Sequence, residues 1–249
     1  MTFSELRPVG LDEVFSIADL QTRRDRKYLL PADAAVAVLD GIEARALEIE
    51  GRRRFRYESV YFDTPGWDSY LGAARRRPRR FKVRTRTYRD SGECVLEVKV
   101  RDHRSNTVKH RHPYSACFRD QITAAGARFV GGVAAVAPFA DLLQPVLTVA
   151  YERTTLVLDD GWDRVTVDEA ATWSAEPGTG VGLRGLTLIE TKTPGPPCAL
   201  DKLLWRAGHR PVTISKYCIG MALMRRDLPV NKWHRVLNQR VIPNLAPLP

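Results

Sequence analysis

Cysteine is scarce in this chain of 249 residues, and its spacing argues against two common kinds of site. The four cysteines, Cys94, Cys117, Cys198 and Cys218, form no C-x-x-C pair. Zinc-binding sequences and disulfide frameworks usually bring cysteines together in such pairs or in dense patterns. We therefore expect neither kind of site, and we expect the protein to work in a reducing cytoplasm.

Long apolar stretches are also lacking. The stretch 133–140 is among the longest, and Pro138 interrupts it. It is much shorter than the roughly 20 residues that a membrane-spanning helix needs. Residues 1–11 lack the apolar segment of a signal peptide. We expect a chain without a membrane span, folded as a single domain over 1–249, with a core over about 23–226 and a C-terminal helix over 230–240.

Negative charge is in deficit. Lysine and arginine together number 39, aspartate and glutamate 29, and the formal net charge is +10. This surplus favours a polyanionic partner, which could be nucleic acid, phosphates or an anionic membrane surface. Nucleic acid is the least favoured, because the basic residues lie on strand-like segments with few interleaved aromatic residues and no recognition module.

Basic residues occupy alternate positions in three consecutive strand-like segments, 79–88, 93–101 and 107–111. In the first segment, for example, Lys82 is followed by the apolar Val83. Successive side chains of a strand point to opposite faces, so each segment would carry one apolar and one cationic face. Such a sheet packs its apolar face on a core and offers the other to water or to an anion.

The remaining pattern predicts strands and helices along the whole chain. Strands are predicted over 23–30, 55–63, 145–158, 164–168 and 186–192, with a hairpin turn at 159–161. Helices are predicted over 11–20, 32–47, 67–74, 118–135, 199–208, 216–226 and 230–240.

Charged side chains recur on strand-like segments with apolar neighbours. The set comprises Lys27, Arg84, Arg86, Glu97, Lys99, Lys109, Arg111, Arg153, Arg164, Glu190 and Lys192. If the sheet curls so that these faces converge, its interior becomes a cationic channel with a few carboxylates. Arginine forks bind two phosphate oxygens, lysines act as point charges, and a carboxylate can hold a divalent cation. This combination suits phosphoryl transfer.

Eight short segments, each weakly specific by itself, form a recognisable series when taken in order. They are 26–28, 59–65, 82–88, 96–99, 151–154, 164–168, 189–192 and 215–217. The series resembles the vacuolar transporter chaperone (VTC) domain of polyphosphate polymerases, and the resemblance covers roughly 23–226.

The resemblance implies a triphosphate tunnel metalloenzyme fold, an α+β architecture in which helices pack outside an antiparallel β-barrel. It implies transfer of the terminal phosphoryl group of ATP onto a growing inorganic polyphosphate chain, with Mn²⁺ or Mg²⁺. The substrate phosphates would be held by Lys27, Arg84, Arg86, Lys99, Lys109, Arg153 and Lys216. Further substrate contacts would come from Lys82, Arg111, Arg164 and Lys192, and Glu190 would bind the metal.

The first predicted strand departs from the wider superfamily. Adenylate-cyclase and thiamine-triphosphatase relatives have the pattern E-x-E-x-K in that strand, whereas this chain has R-R-D-R-K over 23–27. Only Asp25 could replace a glutamate, which favours a polymerase over a two-metal hydrolase. A tunnel-fold triphosphatase and a non-catalytic polyphosphate binder remain as alternatives. In eukaryotic relatives the domain sits beside membrane subunits, so a membrane-protein partner in trans is a further expectation.

Ordinary explanations also stay open. Basic residues in 80–86 could protect a solvated sheet edge. Glu97 with Lys99 could be an ordinary surface pair, whereas Glu190 lies among apolar neighbours, where a stray carboxylate would be costly. The arginine-rich loop 75–79 could be an exposed turn, or it could gather polyphosphate at a channel mouth.

Overall fold

A computed structural model describes residues 3–18, 24–101, 107–159, 163–176 and 178–248. Its strands are β1 (Arg7–Val9), β2 (Arg24–Pro31), β3 (Ala44–Leu47), β4 (Phe55–Asp63), β5 (Arg80–Tyr88), β6 (Cys94–Arg101), β7 (Thr107–Tyr114), β8 (Gln144–Leu158), β9 (Arg164–Ser174), β10 (Val181–Leu183), β11 (Leu186–Thr193) and β12 (Leu245–Pro247). Its α-helices are α1 (Leu11–Ala18), α2 (Ala32–Leu39), α3 (Asp68–Ala74), α4 (Ala124–Gly131), α5 (Ala199–Arg206), α6 (Lys216–Met224) and α7 (His234–Val236).

Eight strands form one continuous antiparallel series, in the order β2, β11, β9, β8, β4, β5, β6 and β7. Within the described ranges no hydrogen-bonded ladder joins β7 back to β2. Lys27 on β2 is nevertheless close enough to Lys99 on β6, the last strand but one, for its charge to lower the pKa of Lys99. The sheet therefore curls around a lumen and leaves a seam between its first and last strands.

The strand alternation predicted from the sequence separates the lumen from the outer cores. On β9, Val165 and Val167 are fully buried beneath α2 and α5, while Arg164 and Asp168 have the opposite parity. On β5, Phe81 and Val83 pack on the other side of the molecule, against α4 and the 3₁₀ segment that follows it. The outer faces of the strands thus supply the apolar cores, and the inner faces are left to the charged residues.

Helix α6 covers one end of the lumen. Tyr217 at its start stacks on Tyr61 of β4 with ring centroids 4.9 Å apart, and both belong to a buried cluster with Leu29 and Leu188. Leu29 and Leu188 share the strand parity of Lys27 and Glu190, so this cluster fills the inside of the barrel at that end. Most other helices pack outside the sheet, as predicted.

The predicted helix over 32–47 is correct only in its first half. Helix α2 ends at Leu39, and Ala44–Leu47 is instead strand β3, which pairs with β8 and β1. Alanine and leucine favour helices, but three of the four β3 residues are buried in sheet contacts, and this burial outweighs the local preference.

Other boundaries differ less. The helix predicted over 118–135 is a 3₁₀ turn at Ala116–Phe118 followed by α4, with the glycine pair Gly131 and Gly132 at the end of α4. Of the C-terminal helix predicted over 230–240, only His234–Val236 is α-helical; it follows a turn that buries Trp233 and continues as a π-helical segment over Leu237–Val241. Parts of the predicted elements at 19–23 and 160–161 lie outside the described residues.

The strands predicted over 55–63, 145–158 and 186–192 are confirmed to within one residue at each end. In the parts of the chain that the structure describes, no helix combines the length and the apolar character that crossing a bilayer requires.

Candidate active site: a cationic lumen with three clamped carboxylates

Glu190 lies between two lysines on the inner face of the barrel. Lys27 stands directly opposite it on β2, with Nζ 3.2 Å from a Glu190 carboxylate oxygen, and Lys192 Nζ lies 3.1 Å from the other oxygen. Burial opposes ionisation of this carboxyl group, but Lys192 and Lys27 hold its pKa well below the usual range. The predicted metal ligand is therefore an ionised, mostly buried carboxylate at the centre of a cationic group.

Asp168 is a second clamped carboxylate. Arg153 on β8 donates two hydrogen bonds to it, at 2.5 and 2.8 Å, and Lys216 at the start of α6 donates a third. The Asp168 side chain has no exposed surface. Despite that burial, Arg153 and Lys216 hold the pKa of Asp168 well below the usual range. One carboxylate thus fixes two of the predicted phosphate-binding cations at a single point.

Glu97 is the third clamped carboxylate. Arg84 on β5 approaches it to 2.6 Å and Arg111 on β7 to 2.9 Å, while Arg86 lies 3.9 Å away. Glu97 is only 2% exposed, so its interpretation as ordinary surface charge is wrong. Burial would favour the protonated acid, but Arg84, Arg86 and Lys109 hold the pKa of Glu97 far below the usual range.

Three lysines form a row across neighbouring strands. Lys82 on β5 is the register partner of Lys99 on β6, which is the partner of Lys109 on β7. Partial desolvation of the ammonium group, together with the charges of Lys27 and Lys82, lowers the pKa of Lys99 to about 8. The same kind of desolvation lowers the pKa values of Lys109 and Lys192 to about 7. Lys99 and Lys109 keep solvent-exposed surface, so this row borders the open side of the lumen.

Arg164 lies at the Lys192 end of the lumen. It is the register partner of Lys192, and its parity matches that of Thr166, whose hydroxyl accepts a hydrogen bond of 3.3 Å from Lys192. All of the sequence-predicted site residues are thus placed on the inner face of the strands or at the start of α6. The roles assigned to them remain predictions.

Tyrosine rings form part of the wall between these groups. The Arg84 guanidinium lies 5.6 Å from the ring centroid of Tyr61, and Lys216 Nζ lies 4.1 Å from that of Tyr151. Both tyrosines are buried. Cation–π contacts of this kind hold charged groups in fixed positions while their outer edges stay available.

A buried network outside the barrel holds β2 and β11 together behind Glu190. Asp201 on α5 has no exposed surface and accepts hydrogen bonds from Tyr28 at 2.6 Å, Thr191 at 2.8 Å and Arg26 at 3.2 Å. These donors are the chain neighbours of Lys27 and Glu190. The network therefore fixes the two strand segments that present the central ion pair.

Sequence reasoning did not select Asp168 or Asp201 as functional residues. Asp168 has the same strand parity as Arg164, which was selected, so extending the alternation along β9 would have found it. Asp201 lies on a helix that is remote in sequence from β2, and no local pattern indicates its contacts.

The lumen contains few carboxylate oxygens that could bind a divalent cation. Among the described residues no three His, Cys, Asp or Glu side chains converge into a metal cluster. Of the three clamped carboxylates, Glu190 is the one whose ion-pair partners are lysines and not arginines. Mg²⁺ and similar ions are commonly held by one or two carboxylates, with water and substrate phosphates as the other ligands. The residues present fit that kind of site.

Two of the solved structures that are similar to this chain are named as putative cyclases. A putative adenylyl cyclase from Hippeastrum, described as having a dominant triphosphatase activity, has a TM-score of 0.52 and 17% identity, covering 84% of this chain and 98% of that one. A putative adenylate cyclase from Vibrio parahaemolyticus has a TM-score of 0.45 and 11% identity, covering 78% and 95%. The first similarity confirms the predicted tunnel-type α+β fold.

Among curated proteins, none matches this sequence. The family model for the VTC domain matches residues 22–225. This region contains the eight sequence segments that resemble the family and the three clamped carboxylates. The chain belongs to the VTC domain family.

Proposed function

We propose that this protein is a metal-dependent polyphosphate polymerase of the ATP–polyphosphate phosphotransferase type. The reaction transfers the terminal phosphoryl group of ATP onto the end of a growing polyphosphate chain inside the lumen. The observation that carries the proposal is the convergence of cations from β2, β5, β6, β7, β8, β11 and α6 around Glu97, Asp168 and Glu190. The cations outnumber these carboxylates, so the lumen has positive charge left for phosphates.

The arginines would orient the substrates. Arg84 and Arg153 present planar guanidinium groups that suit paired phosphate oxygens, and each is braced by a carboxylate and by a tyrosine ring. The lysines Lys27, Lys99 and Lys109 would add mobile point charges. Such positioning and charge neutralisation supply most of the catalysis in phosphoryl transfer.

Glu190 would hold Mn²⁺ or Mg²⁺. When bound, the ion supplies charge neutralisation at the phosphoryl oxygens and reduces repulsion between two anionic reactants. Lys27 and Lys192, which occupy the Glu190 oxygens in the present structure, would turn to substrate phosphates. The terminal oxygen of the acceptor chain attacks the γ-phosphorus of ATP, and the bond between this phosphorus and the leaving oxygen of ADP breaks. No protein nucleophile is required.

A tunnel-fold triphosphatase is the second candidate, and it is favoured by the triphosphatase activity stated for the Hippeastrum structure. The two activities differ only in the acceptor, which is a phosphate chain or water. The first strand of this chain argues for the polymerase. It offers one carboxylate, Asp25, and that residue is exposed, so a second metal would have few protein ligands.

The proposal extends to the setting of the protein. We place it in the cytoplasm as a single catalytic domain over 1–249, with ATP and polyphosphate as partners and no role for nucleic acid. A membrane-protein partner in trans is part of the same proposal.

Product analysis tests the proposal. The purified protein is incubated with ATP and Mn²⁺, and long polyphosphate is separated from free phosphate on a gel. Long chains with matching release of ADP would support the polymerase. Free phosphate alone would favour the triphosphatase, and tight polyphosphate binding without turnover would leave a binding module.

A further inference from the structure

A loop of arginines lies outside the barrel and is not used by the proposed reaction. Arg75, Arg76, Arg77 and Arg79 follow α3, and all are exposed. Within the described part of the chain, no carboxylate lies within ion-pair distance of them, whereas surface arginines elsewhere, such as Arg52 and Arg54, pair with acids. This loop therefore carries positive charge that no carboxylate of the described residues neutralises.

Two further cations join the loop to the sheet. The Arg80 guanidinium donates a hydrogen bond of 2.8 Å to the carbonyl oxygen of Arg77, and Arg80 stands opposite Arg101 in the β5–β6 register. Lys232 donates a bond of 2.8 Å to the carbonyl oxygen of Ala73, at the end of α3. These residues and the loop form what we call the outer track: Arg75, Arg76, Arg77, Arg79, Arg80, Arg101 and Lys232.

A helix C-terminus attracts cations, and this ordinary effect explains only part of the outer track. Lys232 satisfies a carbonyl group of α3, and that contact suits the helix dipole. The side chains of Arg75, Arg76 and Arg79 make no hydrogen bond among the described residues. Arg80 and Arg101 lie side by side although like charges repel, and desolvation together with Arg101 lowers the pKa of Arg80.

The outer track is continuous with the lumen through Lys82. Lys82 stands opposite Lys99, which borders the lumen, and its Nζ lies 2.7 Å from the hydroxyl of Ser215 at the start of α6. On the other side of Lys82, burial lowers the pKa of Lys232, and the charges of Arg80 and Lys82 lower it further. Because α6 packs against Tyr61 at one end and Lys99 and Lys109 are exposed, the lysine row gives an anion chain a cationic path from the lumen to the outer track.

We propose that the outer track is a second binding site, which holds the part of a polyphosphate chain that extends beyond the lumen. This inference rests on the proposed function, because it takes the lumen as the place where the reacting phosphates bind. The ligand class is an unbranched polyanion with one charge on each unit. Short ligands such as tripolyphosphate would fill the lumen without reaching the track.

The test compares short and long ligands on a loop variant. The triple variant Arg76→Asn, Arg77→Gln, Arg79→Gln removes three exposed charges; asparagine suits the left-handed conformation of Arg76, whose φ is 56°. Affinities for tripolyphosphate and for a chain of about 100 phosphates are measured without metal, so that no turnover occurs. We expect unchanged tripolyphosphate binding and a loss of about tenfold or more for the long chain, with a salt-dependence slope smaller by about 2.

A matched control removes three exposed cations from a different surface. Arg184→Gln, Lys202→Gln, Arg206→Gln lies on α5 and the turn between β10 and β11, and we expect it to bind both ligands like the wild type. Unchanged long-chain affinity in the loop variant would overturn the inference, as would an equal loss for both ligands or an equal loss in the control.

Two outcomes separate this inference from the proposed function. If wild-type protein fails to bind tripolyphosphate, the lumen assignment fails, whatever the loop does. If a single-stranded oligonucleotide binds wild type as tightly as the long polyphosphate and loses the same factor in the loop variant, the outer track is a nucleic-acid site and the polyphosphate assignment is wrong.

Discussion

Arg153 and Asp168 meet as a two-point ion pair on adjacent strands, with N–O distances of 2.5 and 2.8 Å, and Lys216 shares the same carboxylate. Two cations that would repel each other are held together by one buried anion. The arrangement holds both cations in position before any substrate arrives. A phosphate group entering the lumen would meet cations that are already oriented, which is the property that phosphoryl transfer requires.

Asp168→Asn should therefore destabilise the ligand-free protein while sparing ligand binding. Removing one partner of a buried pair leaves uncompensated charge and typically costs about 3–5 kcal/mol, so we expect a clear fall in the unfolding midpoint. Tripolyphosphate should restore much of it, because phosphate oxygens can replace the lost carboxylate. Thermal unfolding with and without tripolyphosphate measures both effects.

Asp159→Asn is the control for that experiment. Asp159 pairs with Arg7, whose side chain is 72% exposed, and exposed pairs contribute about 0–1 kcal/mol. A similar midpoint for the Asp168 and Asp159 variants would show that the Arg153–Asp168–Lys216 group does not stabilise the fold.

Glu190→Gln should abolish metal-dependent turnover and leave polyphosphate affinity intact or higher. The substitution removes the proposed metal ligand, and it also frees Lys27 and Lys192 from their ion pairs. Turnover of ATP with Mn²⁺ and binding of polyphosphate without metal are measured on the same preparation. Glu169→Gln, which breaks a pair with the partly exposed Arg54, is the matched control. Wild-type turnover in the Glu190 variant would remove the metal-ligand assignment.

Binding of phosphates should take up protons at pH 8. The pKa of Lys109 is lowered to about 7 and that of Lys99 to about 8 in the free protein, so at pH 8 the Lys109 amine is mostly neutral and the Lys99 amine is about half protonated. A bound polyanion favours the ammonium form and raises their pKa values. Affinity should then fall as the pH rises from 7 towards 9, because protonation becomes more costly.

Calorimetry in two buffers with different ionisation enthalpies counts these protons. The ligand itself contributes little at pH 8, because the second pKa of a phosphate group is about 6. Lys109→Arg, which keeps its charge at every working pH, should reduce the uptake. Equal binding heats in both buffers would contradict the assigned pKa shifts.

The sequence was sufficient for the parts of the site that lie on regular alternation. Charge on every second residue from Arg80 to Arg86 placed these side chains on one face, and the apolar neighbours placed the opposite face on a core; the structure agrees on both. Local pattern determines which face of a strand a residue occupies, since side chains alternate with period two.

The contacts among the charged groups could not be predicted in the same way. The burial of Glu97 depends on Arg84 and Arg111, which lie on two other strands. The pattern within β6 does not reveal those partners, so the sequence was equally consistent with an exposed Glu97. The closure of one end by α6 depends on aromatic packing between Tyr217 and Tyr61, which are far apart in the chain. Strand β3 was predicted as helix for the same reason: its pairing partners are distant in sequence.

A crystal structure of the protein with tripolyphosphate and Mn²⁺ would locate both the phosphates and the metal ion. We expect phosphates in contact with Arg84, Arg86 and Arg153, and a metal ion on Glu190 that also touches phosphate oxygens. Lys27 and Lys192 should have moved from the Glu190 carboxylate to the ligand. A tripolyphosphate bound only outside the barrel, or a metal ion away from Glu190, would contradict the account.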